Sequence, residues 1–78
     1  MSDTQQRLVN VVVAELGVTP EQVVSDASFR DDLGATSVKI FDLILALEDE
    51  FGIEVPDEDA IQITTVGDAV EYLEKRLG

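Results

Sequence analysis

Cysteine and histidine are absent from this sequence, and basic residues number five against seventeen acidic ones. Without cysteine there are no disulfides and no thiolate ligands; without histidine the usual general base and commonest metal ligand is missing. Few routes to catalysis by the chain itself remain. No apolar run approaches the roughly 20 residues of a membrane span. The longest apolar-rich stretch, Ile40 to Leu47, is interrupted by Asp42. The opening Met1-Ser2-Asp3-Thr4 lacks the basic stretch and apolar segment of a secretory signal, so a cytoplasmic location is expected.

What is present is acid. A formal charge of −12 on 78 residues repels nucleic acid and anionic membrane surfaces and attracts basic protein patches. No basic residue lies between Lys39 and Lys75, while Asp42, Glu48, Asp49, Glu50, Glu54 and Asp57 to Asp59 crowd the middle. Asp57 to Asp59 lack the Asp-x-Asp-x-Asp-Gly spacing of a calcium loop, and no metal site is expected. A chain this short buries only about 60% of the surface its unfolded form exposes, which leaves room for one domain, residues 1–78.

Helical periodicity organises the chain. Leu8, Val12 and Leu16 recur at spacing four, with Val9 and Val13 beside them, and predict a first helix from Asp3 to Leu16, stopped by Gly17. Val11-Val12-Val13 would suit a strand, but a run of about thirteen residues without Gly or Pro is long for one. Thr19-Pro20-Glu21-Gln22 reads as a capped single turn. A long polar loop follows to Thr36, expected to be ordered because Val23, Val24, Phe29 and Leu33 can anchor it in the core. Thr36 and Ser37 offer capping hydroxyls for a second helix that runs to Phe51 and stops at Gly52. Pro56 to Ile61 reads as a short helix with acids in its first turn. Thr65-Val66-Gly67-Asp68 resembles a capping box with aspartate in place of glutamate, opening a last helix with Val66, Ala69, Val70, Leu73 and Leu77 at helical spacing. Lys75 and Arg76 stand in its last turn, where the dipole favours cations, and Gly78 follows as a stop. The expectation is an all-α, four-helix bundle: three main helices, one short helix, and a long loop between the first and second.

The second helix carries more apolar residues than one face can bury. Ile40, Leu43, Ile44, Leu47 and Phe51 supply a core stripe. Val38, Phe41 and Leu45 form another, rotated about 100° from it. With Asp42, Glu48 and Asp49 as rim, this second stripe reads as an apolar contact patch edged by acid. The alternative is that Val38 and Phe41 tuck under the long loop. Ser37 falls at the helix start, where unpaired amides and the positive end of the dipole favour an anion. Its hydroxyl is a weak nucleophile, and with no histidine and with Lys39 turned to the opposite side of the helix, another protein must activate it. Taken alone, Ser37 could equally be a capping residue.

The run Asp32-Leu33-Gly34-Ala35-Thr36-Ser37-Val38, followed by Leu47-Glu48-Asp49-Glu50-Phe51-Gly52-Ile53-Glu54-Val55-Pro56-Asp57-Glu58-Asp59 and Ile63-Thr64-Thr65-Val66-Gly67-Asp68, resembles the acyl carrier protein family over nearly the whole chain. The resemblance implies a carrier, not an enzyme, with no catalytic residues of its own. It implies that Ser37 receives phosphopantetheine from coenzyme A through a separate Mg²⁺-dependent phosphopantetheinyl transferase, and that the arm's thiol carries an acyl group as a thioester which can fold back among the helices. It further implies that the second helix docks on basic patches of acyl-transferring, condensing and modifying enzymes. Val38, Phe41, Asp42, Leu45, Glu48 and Asp49 fall on the family's recognition positions. A monomer is expected.

Departures from the family pattern point to a dedicated carrier in a specialised pathway. Thr36-Ser37-Val38 replaces the usual Asp-Ser-Leu, Lys39 stands at an often acidic position, Phe41 is bulkier than usual, and Ile61 stands where a charge is frequent. Two other readings remain at this point: a stand-alone peptidyl or aminoacyl carrier of a nonribosomal pathway, and an unmodified acidic interaction module.

Overall fold

A computed structural model describes residues 3–77; Met1, Ser2 and Gly78, read above for targeting and as a stop, lie outside the described residues. Four α-helices follow in the order α1 (Asp3–Leu16), α2 (Ser37–Phe51), α3 (Asp57–Ala60) and α4 (Val66–Leu77), with a 3₁₀ turn at Pro20–Gln22. The described residues form no strand, only one isolated antiparallel bridge between Ser28 and Thr65. The all-α bundle with three main helices, one short helix and a long α1–α2 loop is the fold expected from the periodicity.

Leu8 and Val12 of α1, Leu43 and Leu47 of α2, and Val66, Ala69 and Leu73 of α4 meet in the core, each at most 2% exposed. Burying the leucines and valines among them stabilises by about 1.5–3 kcal/mol each, which is what orders helices too short to persist alone. The ends of α2 show how its length is set. At its start the Thr36 hydroxyl accepts the Lys39 amide at 3.3 Å. At its finish Gly52 adopts φ 65°, and the amides of Gly52 and Ile53 both return to the Glu48 carbonyl. No cation stands in the last turn of α2 itself. Arg7 of α1 supplies one, donating to the Glu50 carboxylate and carbonyl at 2.9 and 2.7 Å while its guanidinium lies 4.4 Å from the centre of the Phe51 ring.

The long loop is ordered, with one correction to its anchors. Val23, Phe29 and Leu33 are buried, but Val24 is 54% exposed. The chain turns immediately after the 3₁₀ segment, and the Ala27 amide returns to the Val24 carbonyl, so only one of the two adjacent valines can face inward. Leu77 is likewise exposed, in the final turn of α4. The loop is fastened to the α3–α4 connection: Phe29 donates to the Thr64 carbonyl, and Val66 and Gly67 donate to those of Ala27 and Ser25. At Gly67 a Cβ would come within 3.0 Å of the Ser25 carbonyl oxygen, so the approach needs glycine or a small retreat of the loop.

Candidate functional site

The cap of α2 is Thr36, which leaves Ser37 in the first helical position with its hydroxyl free of the capping role. The capping role that the sequence allowed to Ser37 therefore falls to Thr36. Ser37 is exposed, and the amides of Ser37 and Val38 donate to no group among the described residues. Such amides, at the positive end of a 15-residue helix, favour a negative group beside Ser37.

One partner of Ser37 was invisible in the periodic pattern. Arg30 reaches from the long loop and donates from Nη2 to Ser37 Oγ at 3.1 Å. The loop holds Arg30 in place through its neighbours: the Ser28 amide donates to the Asp32 carboxylate at 2.7 Å, the Ala35 amide donates to the Phe29 carbonyl at 2.8 Å, and Phe29 and Leu33 are buried on either side. The available signal was composition. Arg30 is the only basic residue between Arg7 and Lys39, seven residues before the serine.

Ser37 stands at the mouth of a cleft of about 710 Å³ between α2, α3 and the loops. Ile40, Phe41 and Ile44 line its α2 side, Ala60 and Ile61 its α3 side. These positions follow Ser37 at spacings of three, four and seven, so the helix brings the serine and the apolar wall to one side. An apolar chain attached near Ser37 therefore has a partly enclosed apolar space within reach.

The second stripe of α2 is exposed and overlaps the cleft, since Phe41 and Leu45 also line it. Val38, Phe41 and Leu45 are 70%, 59% and 48% exposed, so neither Val38 nor Phe41 is tucked under the loop. Asp42 and Asp49 are exposed beside them. Glu48 is half-buried, and its carboxylate accepts the Val55 amide at 2.7 Å, so this rim residue also holds the chain leaving α2. Among the described residues no group of three or more potential ligands is placed to hold a metal ion, and no helix is long and apolar enough to cross a membrane.

Known proteins give this geometry its class. Residues 6–73 match the family model described as "Phosphopantetheine attachment site". The bundle thus falls among proteins that carry cargo on a covalently attached phosphopantetheine. Within that class, the chain is 52% identical over 75 residues to an acyl carrier protein of Zymomonas mobilis, covering 96% of both chains. It also superposes on a solved acyl carrier protein of Enterococcus faecalis with a TM-score of 0.79 at 37% identity, covering 94% of this chain and 92% of that one. The chain belongs to the acyl carrier protein family. It is therefore a carrier and not a catalyst, its cofactor is a covalently attached phosphopantetheine, and it works with a phosphopantetheinyl transferase and biosynthetic enzymes.

Proposed function

We propose that the phosphopantetheine arm is attached at Ser37 and that it carries acyl intermediates as thioesters for a fatty-acid, polyketide or specialised lipid pathway. The observation that carries this reading is the placement of Ser37: an exposed hydroxyl, released from capping by Thr36, at the mouth of an apolar cleft. In the attachment step Oγ forms a bond to the phosphorus of coenzyme A that bears the pantetheine arm. The pyrophosphate bond breaks, adenosine 3′,5′-bisphosphate leaves, and the serine proton passes to a base on the transferase. The chain holds no histidine to act as that base.

Partner enzymes meet α2 through Val38, Phe41, Asp42, Leu45, Glu48 and Asp49, an apolar stripe with an acidic rim suited to a basic patch with an apolar centre. Thr36, Lys39, Phe41 and Ile61 favour a dedicated carrier over a general one. Residues 1–78 form one carrier domain, and a chain of this acidity works as a cytoplasmic monomer.

Incubation with coenzyme A and a broad-specificity transferase should add about 340 Da, the mass of the transferred arm, and Ser37→Ala should abolish the gain. A gain that survives in Ser37→Ala would move the attachment elsewhere, and no gain with several transferases would defeat the reading. Mass spectrometry of the arm loaded in the native host then separates cargoes: an aminoacyl group would exclude the acyl assignment.

A further inference from the structure

The chain has three arginines, and only Arg30 touches the serine. Arg7 pairs with Glu50, and Arg76 donates to the Glu54 carbonyl beside the Tyr72 ring. Arg30 pairs with no carboxylate among the described residues, although the chain has seventeen. Asp31, Glu48 and Asp57 line the same cleft, where Arg30 is the only cation among the described residues. A guanidinium left unpaired in so acidic a molecule, held by a pinned loop and directed at one hydroxyl, is arranged for an anion that forms at that hydroxyl.

We propose that Arg30 holds the phosphate of the arm. The inference rests on attachment at Ser37. Before attachment the guanidinium orients Oγ. Afterwards Oγ becomes a bridging ester oxygen and a poor acceptor, and the two non-bridging oxygens, on the phosphorus bonded to Oγ, carry the negative charge. A planar fork whose Nη2 already lies 3.1 Å from Oγ needs only a small shift to place two N–H groups on them. The helix start contributes the unpartnered Ser37 and Val38 amides. Arg30 is a positioning residue for the arm and takes no part in making or breaking a bond. Fixing the phosphate fixes where the arm leaves the bundle, and so whether cargo turns into the cleft or toward a partner.

The test compares apo and holo forms of the wild type, Arg30→Gln and Arg30→Lys, each verified by mass. Absence of the mass gain in wild type would strike at Ser37 itself, before Arg30 is in question. With attachment verified, the holo-minus-apo difference in Tm should be lower in Arg30→Gln than in wild type by on the order of 4 °C at low salt. Arg30→Lys should fall between them, and the gap should close in 1 M NaCl. Each difference is taken within one variant, so any effect of the substitution on the apo fold cancels. In ¹⁵N-labelled wild type, the Arg30 Nε–H signal should move on attachment while that of Arg76 stays in place, a readout that needs no variant. Equal holo-minus-apo differences in wild type and Arg30→Gln, or an unmoved Arg30 signal, would overturn the proposal.

Discussion

At the scale of single residues, Asp68 shows how one side chain starts a helix. One of its oxygens accepts the Thr64 hydroxyl at 2.9 Å and the Thr64 and Thr65 amides at 3.2 Å each, and the Asp68 amide returns a bond to the Thr65 hydroxyl at 3.1 Å. The Thr64 hydroxyl, followed by these two amides, holds the Asp68 carboxyl below its ordinary value. A carboxyl whose folded value is depressed stabilises fully above its unfolded value, and that stability is lost as pH falls through the folded value. Asp68→Ala should therefore cost about 1 kcal/mol at pH 7, as loss of a cap does. The gap between variant and wild type in urea denaturation should narrow toward pH 3, and an equal gap at both pH values would contradict the assignment. This box was readable in the sequence because Thr65 and Asp68 are three residues apart and the interaction is local. Arg30 was not, since its contact depends on the path of an aperiodic loop.

At the scale of elements, α3 is the part that cannot hold itself. Four residues do not form a stable helix, and α3 contributes no fully buried side chain. Its tether is α4: Tyr72 donates its hydroxyl to Asp59 at 2.7 Å. Burial, followed by the bond to Asp59, raises the Tyr72 phenol above its ordinary value. That stabilisation is present below the unfolded tyrosine value and lost as pH rises through the higher folded one. Tyr72→Phe should remove about 1 kcal/mol at neutral pH and take away the phenol's own share of the alkaline dependence. Because Ala60 and Ile61 wall the cleft, the same substitution should speed amide exchange of Ile61 to Ile63 by several-fold while leaving α1 protected. Unchanged exchange there would show that α3 is held by other means. The sequence marked α3 through Pro56 and the acids after it, but the partner that fixes it lies 13 residues away.

Over the whole molecule, charge dominates. A formal −12 is confined within a radius of gyration of 11.1 Å. At about 0.01 M salt the screening length is about 30 Å, so the acids repel one another across the full bundle; at about 0.15 M it is about 8 Å. Tm should rise smoothly over that interval by on the order of 5 °C. Calcium should act in the same gradual way at lower concentration, since no cluster of ligands is assembled among the described residues. Calorimetric detection of a stoichiometric submicromolar calcium site would contradict this.

The sequence by itself determined the helices, their stops and the excess apolar stripe of α2, because these rest on spacings of three and four and on local caps at Thr36, Gly52 and Asp68. It also marked Ser37, through the residues around it. Tertiary structure alone decided that Thr36 and not Ser37 caps α2, that Val24 turns outward where Val23 turns in, that Glu48 holds Val55 as well as facing solvent, and that Arg30 meets Ser37 beside a cleft. Each of these depends on where an irregular segment runs after the helices have packed. That path is set by buried anchors and loop hydrogen bonds such as Phe29 to Thr64 and Gly67 to Ser25, which link residues 35 and 42 positions apart and leave no period in the sequence.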